Sequence, residues 1–420
     1  MAVTHLACRE CGTRYDLSAQ YVCTQCFGPL EAKYDFSAIA GDPAELRRRI
    51  QSGPQNIWRY NDFLPLEAGQ PGPSARILSR VGLPAGCTPL VRADRLAERL
   101  GIGEVWVKND AHNPTHSFKD RVVAVAAQRA RELGFDTLAC ASTGNLANAV
   151  AASAAALGMP SYVFIPADLE EQKVLATGVY GTNLVKIRGT YDDVNRLCTE
   201  ISGEQESWAF VNVNMRPYYA EGSKTIAYEV AEQLGFSLPD RIVAPVASGS
   251  LFTKIAKGFD EWRELGLIEG DLPVMHGAQA AGCAPVAEAF AAGTDVCRPV
   301  RKPDTIAKSL AIGNPADGPY AVELANATDG SVESVTDDEI RAGIRLLAET
   351  TGIFTETAGG VTTATLAKLA ESGAIGRDER IVLVITGEGL KTLDAVRGTF
   401  EAHEIEPSYD AFEAAVGVTA

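Results

Sequence analysis

Four cysteines near the start of the chain and one lysine further along are the side chains best placed to do chemistry. Cys8, Cys11, Cys23 and Cys26 form the pattern C-x2-C-x11-C-x2-C. Each C-x2-C turn can aim two sulfurs at one ion, and two such turns complete a closed tetrahedral thiolate site. Gly12 behind the first pair and Gly28-Pro29 behind the second suit tight knuckles. The spacing predicts a structural zinc ribbon over residues 1–36. A redox C-x2-C is normally single, so the second pair argues for metal. The remaining cysteines, Cys87, Cys140, Cys198, Cys283 and Cys297, are scattered and read as small buried hydrophobes.

Lys119 sits in Asn113-Pro114-Thr115-His116-Ser117-Phe118-Lys119-Asp120-Arg121, ahead of the run VVAVAAQRA. Asn113-Pro114 marks a turn, and Ser117 suits a helix N-cap. Lys119 then falls in the first helical turn, where the helix dipole disfavours a cation. A lysine there is more useful neutral, as a Schiff-base amine. An isolated lysine would instead pair with Asp120 at the surface. Three small-residue turns follow apolar runs: Ser142-Thr143-Gly144-Asn145, Ala247-Ser248-Gly249-Ser250-Leu251, and Thr386-Gly387-Glu388-Gly389-Leu390-Lys391. Open α/β sheets bind ligands at such strand ends, and a helix N-terminus behind them favours anions. None of the three is a dinucleotide fingerprint or a Walker loop.

The elements that must position these groups are legible as alternation. EVWVK, TLACAS, SYVFIP, LVKIRG, RIVAPVAS and RIVLVIT read as buried strands. VVAVAAQRARELG, LANAVAASAAALG and TIAYEVAEQLG read as helices, each stopped by a glycine. PAELRRRI is helical, and a Pro/Gly-rich link runs from Gly69 to Pro73. From about Thr88 the pattern predicts parallel α/β sheets covered on both faces. The 420 residues are 46% hydrophobic and carry a net charge of −16. That balance excludes a whole-surface binder of nucleic acid or anionic membrane. The acidic residues read as solvated helix faces. No apolar run is long enough to cross a membrane, and MAVTHLACRECG lacks a signal-peptide core, so the expected location is the cytoplasm.

NPTHSFKDR, STGN, PVASGSLFTKI and the late Thr-Gly turn together resemble the fold type II pyridoxal-phosphate enzymes. NVNMRPYYAEGSKT from Asn212, HGAQAAGCAP, and KSLAIGNPADGPYA from Lys308 to Ala321 narrow the resemblance to the threonine synthase family. It covers nearly the whole chain. It implies a tryptophan synthase β-like fold, two open α/β lobes with the cofactor in the cleft. Residues 88–400 would form the catalytic body, with the smaller lobe at about 125–215 and the larger one discontinuous around it. Residues 37–87 would link the ribbon to the body, and 401–420 would form a tail.

The resemblance also implies roles. Lys119 carries pyridoxal 5′-phosphate as a Schiff base, with Phe118 beside it. Asn145 bonds the ring oxygen, Gly249, Ser250 and Leu251 hold the cofactor phosphate, and Thr386 faces the pyridine nitrogen. The implied substrate is O-phosphohomoserine, converted with water to L-threonine and phosphate by γ-elimination and β-addition. Ser142 and Thr143 are the donors for the substrate's carboxylate or phosphate. Arg216 is the first choice for the phosphate, since a guanidinium binds it bidentately. Lys224 and Lys254 are second choices, and Asn212 and Asn214 line the same pocket. Glu388 departs from the uncharged or histidine residue expected between the two glycines. A homodimer is implied. A sibling lyase acting on phosphoserine, serine or threonine would share the cofactor residues and differ in substrate. An inactive zinc-ribbon binding protein would keep only the ribbon. The ribbon itself reads as a brace, with a partner or regulatory contact as the alternative.

Overall fold

The computed structural model describes residues 2–67, 82–142, 144–167, 171–189 and 191–417. The Gly69–Pro73 link and Thr143 lie outside the described residues. The N-terminal segment is an antiparallel sheet of β1 (Val3–Cys8), β2 (Arg14–Tyr15) and β3 (Leu30–Tyr34), in the order β2-β1-β3. Along the chain follow β4 (Leu90–Arg92), β5 (Glu104–Asn109), β6 (Thr137–Ala141), β7 (Ser161–Pro166), β8 (Asn183–Ile187) and β9 (Trp208–Phe210). The last four strands are β10 (Arg241–Pro245), β11 (Val274–Ala280), β12 (Ser331–Val335) and β13 (Arg380–Ile385).

Two further sheets result. One has six strands in the order β12-β11-β10-β13-β5-β4, parallel except for β4. The other has four parallel strands, β8-β7-β6-β9. The apolar runs expected to be strands are β5, β6, β7, β8, β10 and β13. β6 is buried at every residue, as a central parallel strand must be. Helices Lys119–Glu132, Asn145–Leu157 and Lys224–Gln233 end where the sequence stops them: Gly134, Gly158 and Gly235 all take positive φ. Of the scattered cysteines, Cys140, Cys198 and Cys283 are buried, while Cys87 and Cys297 are half-buried.

Some acidic residues do not lie on solvated helix faces. Asp110, Glu221, Glu229, Glu261 and Glu356 are all buried. Arg121, two residues past Lys119, is at the centre of one buried network. Its Nε donates to Asp110 at 2.7 Å, and its two Nη atoms reach the Glu229 oxygens at 2.6 and 2.7 Å. Lys108 on β5 donates to Glu229 at 2.6 Å. Two cations and two carboxylates thus neutralise each other inside the body. The network ties the Lys119–Glu132 helix to β5 and to helix Lys224–Gln233.

The ribbon is fastened by apolar packing and by charge. Val3, Leu6, Leu30 and Ala32 share a core with Val122, Val123, Ala126 and Tyr218. Glu31 on β3 takes the Lys254 ammonium at 2.5 Å, and Tyr34 donates to Glu221 at 2.7 Å.

Candidate active site

Lys119 is the first residue of its helix, so the expected first-turn position is realised. The N-cap differs from expectation. Phe118 occupies it without a side-chain cap, and the Ser117 hydroxyl is buried with no partner among the described residues. The local turn is closed from the other side: the Asp120 carboxylate accepts from the Thr115 N–H at 2.6 Å and its hydroxyl at 2.8 Å. Asp120 is therefore occupied by the loop, and burial pushes its carboxyl up to about 6 against those two bonds. The Lys119 ammonium instead donates to Tyr219 Oη at 2.8 Å and lies 4.5 Å from the Phe118 ring centre.

The loop is stitched to the third small-residue turn. Phe118 N–H donates to Thr386 O at 2.9 Å, and Glu388 N–H to His116 O at 3.2 Å. Glu388, the unexpected residue, puts its carboxylate 3.1 Å from His116 Nδ1. Beyond Thr386 stands Glu356, which accepts from Asn145 Nδ2 at 2.9 Å and from the Thr386 hydroxyl at 3.3 Å. Lys391 donates to Asn145 Oδ1 at 2.8 Å. Burial pushes the Glu356 carboxyl above the usual carboxylate range, opposed by Asn145, Lys391, Thr386 and Lys119. Burial likewise pulls the Lys391 ammonium down, opposed by Glu356, Asp120 and Glu388. Gly387 is required here, since a Cβ would sit 2.5 Å from the Glu356 carboxylate. Three segments far apart in sequence thus meet around one lysine.

The second turn is built differently. Gly249 takes φ +96°, and a Cβ there would stand 2.5 Å from Asp317 O. Behind it starts the helix Ser250–Glu264, whose first amides have no intrahelical partner. Asp317 also accepts from Arg216 Nη2 at 2.8 Å, and Arg216 opens the short helix that carries Tyr219. In the ribbon, Sγ–Sγ separations of 3.5 Å (Cys8–Cys26), 3.6 Å (Cys11–Cys23) and 3.4 Å (Cys11–Cys26) approach the edge of a zinc–thiolate tetrahedron, about 3.8 Å for bonds of ~2.3 Å.

A model of the pyridoxal-phosphate dependent enzymes matches residues 81–387. The chain is 39% identical to a threonine synthase of Methanosarcina acetivorans over 92% of both chains. It is 38% identical to one of Methanocaldococcus jannaschii, over 95% of this chain and 96% of that one. The chain belongs to the threonine synthase family of pyridoxal-phosphate dependent enzymes. Among solved structures it superposes on a threonine deaminase of Solanum lycopersicum with a TM-score of 0.64. That match covers 86% of this chain and 90% of the other at 21% identity, a likeness of fold. The fold type II architecture expected from sequence is the one observed.

Several proposed substrate residues have other work in this family member. Lys224 is fully buried, 2.7 Å from Glu221, 3.0 Å from Glu261, and bonded to Phe63 O. Lys254 is held between Glu31 and Glu221. Both ammonium groups are paired with carboxylates in this structure. Asn214 closes its own turn, accepting from Phe210 N–H at 2.9 Å and donating to Trp208 O at 3.1 Å. Asn212 donates to Ala141 O at 3.4 Å, while its Oδ1 is buried without a partner among the described residues. Ser142 follows the buried strand β6, and its hydroxyl accepts from Gly144 N–H at 3.4 Å. Sequence reasoning missed Tyr219, Glu356 and Asp317. No local signal marks Glu356, whose partners Asn145 and Thr386 lie 211 and 30 residues away.

Proposed function

We propose that the chain makes L-threonine and phosphate from O-phosphohomoserine and water, with pyridoxal 5′-phosphate on Lys119. The observation that carries this reading is that Asn145 and Thr386 both donate to Glu356 while Thr386 O accepts from the N–H of Phe118, next to Lys119, in a chain matching threonine synthases over most of its length. The buried, unpartnered Ser117 Oγ and Asn212 Oδ1 fit a polar group that completes the site. When bound, the cofactor supplies an electron sink that makes the carbon-bound protons of the amino acid labile. Asn145 would hold the cofactor's ring oxygen, and Thr386 would offer a neutral hydroxyl to its pyridine nitrogen. Gly249, Ser250 and Leu251 would take the cofactor phosphate on backbone amides, aided by the helix dipole. Phe118 packs beside the lysine.

The Lys119 amine moves protons at successive carbons of the substrate as phosphate leaves Cγ and water adds at Cβ. One mobile base serves several positions, so the site must exclude water until phosphate has left. Ser142 donates to the substrate's carboxylate or phosphate, and Thr143 is assigned with it from sequence alone. Arg216 takes the substrate phosphate. We further place zinc on Cys8, Cys11, Cys23 and Cys26, and the chain in the cytoplasm as a homodimer.

The purified chain given O-phosphohomoserine should release phosphate and threonine in equal amounts. Turnover of phosphoserine or serine in its place would keep the scaffold and move the substrate assignment to a sibling lyase. Metal analysis should find about one zinc per chain, lost in Cys11→Ser together with a lower thermal midpoint, because a closed thiolate site contributes folding energy. A wild-type chain with no bound metal and an ordered ribbon would overturn the zinc assignment.

A further inference from the structure

The knuckle between Cys8 and Cys11 presents Arg9 and Glu10 to one point on the catalytic body. The Arg9 guanidinium lies 3.4 Å from the centre of the Tyr320 ring, and its Nη1 is 3.9 Å from Asp317 Oδ1. Glu10 accepts the Tyr320 hydroxyl proton. The other Asp317 oxygen accepts from Arg216 at 2.8 Å. Asp317 N–H donates to Ser248 O at 2.8 Å, and Asp317 O is the atom that forbids a Cβ at Gly249. The Asp317 side chain is only 9% exposed, so this shared carboxylate acts through poorly screened space. One residue therefore touches the ribbon, braces the anion-binding turn and holds Arg216.

We propose that Arg9 is a positioning residue for substrate binding: the ribbon acts on the active site through Asp317 and Arg216. This rests on the reading of Arg216 as the ligand of the substrate phosphate. Two guanidinium groups divide one carboxylate. Arg9, seated on Tyr320, draws part of the Asp317 charge, which lowers the cost of moving Arg216 from Asp317 to a phosphate. Without Arg9, Asp317 holds Arg216 undivided, and an incoming phosphate competes on worse terms. The ribbon is then more than a brace, because a single side chain between two of its cysteines sets the strength of a contact across the cleft.

The test is a double-mutant cycle on the full-length holoenzyme, reading KM for O-phosphohomoserine, kcat, and inhibition by inorganic phosphate. Arg9→Met should raise KM and the phosphate inhibition constant about three- to tenfold. It should leave kcat within about twofold and the zinc content unchanged. Arg9→Lys should restore most of the loss. Arg216→Met should raise both constants further, and adding Arg9→Met to it should then change nothing. Tyr320→Leu removes the seat of Arg9 without altering the ribbon sequence, and should act in the same direction. If Arg216→Met leaves both constants unchanged, the reading of Arg216 as phosphate ligand fails. If Arg216→Met raises them but neither Arg9→Met nor Tyr320→Leu does, the positioning role fails. An Arg9→Met effect of equal size in both backgrounds also overturns it, since the ribbon would then act by another route.

Discussion

Replacing Lys119 with alanine will leave a folded protein that has lost at least ~10³-fold of its turnover, the scale expected when a general base and covalent amine is removed. Folding should survive because Lys119 contributes little to it. Its ammonium has one hydrogen bond, to Tyr219, and sits at a helix N-terminus where the dipole opposes a cation. Alanine is also the better helix former. The visible absorption that pyridoxal phosphate shows when joined to a lysine should vanish in the same variant. Tyr219→Phe separates the amine from its setting. It keeps Lys119 and its ring neighbours but removes the hydroxyl 2.8 Å from Nζ. Its turnover should fall about tenfold, with the lysine-bound absorption retained. Lys119→Ala with wild-type turnover would end the assignment. A loss of turnover accompanied by unfolding would move Lys119 from chemistry to structure.

The site residues that the family resemblance marked in the sequence each fit within a single turn. Lys119, Asn145 and Thr386 each sit at a junction between a loop or strand and a helix or turn, in short segments marked by glycine or proline. The parts that were missed depend on contacts between distant segments. Asn145 and Glu356 are 211 residues apart, and nothing local to Glu356 says that a carboxylate will be drawn under the Thr386 turn. Lys224 shows the converse. From the sequence its charge reads as a second choice for the substrate phosphate. Only the fold brings Glu261, 37 residues on, to its ammonium. Strands obeyed the same division. Runs such as SYVFIP declared themselves by continuous apolar residues. β11 did not, because His276, Gly277 and Gln279 interrupt it, and β12 at the sheet edge sets only Val332 and Val335 among Ser and Glu. Their placement is fixed by neighbours in the sheet, which a local pattern does not contain.

The buried network around Arg121 shows how such distant contacts bear on the site, and it gives the largest expected effect on stability. Glu229→Gln should cost about 3–5 kcal/mol, the scale for removing one partner of a buried ion pair, read as a lower urea midpoint at pH 7. The glutamine is nearly the same size, so the cost comes from charge: Lys108 and Arg121 would share Asp110 alone. Burial pushes the Glu229 carboxyl up, but Arg121 and Lys108 outweigh it and bring it down to about 2. A carboxyl lowered in the folded state stabilises above its unfolded value and loses that contribution as pH falls through the folded one. The gap between wild type and Glu229→Gln should therefore be full above about pH 4.5 and close as the pH approaches 2. Arg121 lies one helical turn or less from Lys119, and Thr88, Asp110 and Glu229 fix its guanidinium on every side. The same substitution should loosen the start of that helix, so cofactor affinity should fall along with stability. A midpoint within about 1 kcal/mol of wild type, flat with pH, would mean that packing alone holds Lys119 in place and that the four buried charges merely tolerate one another.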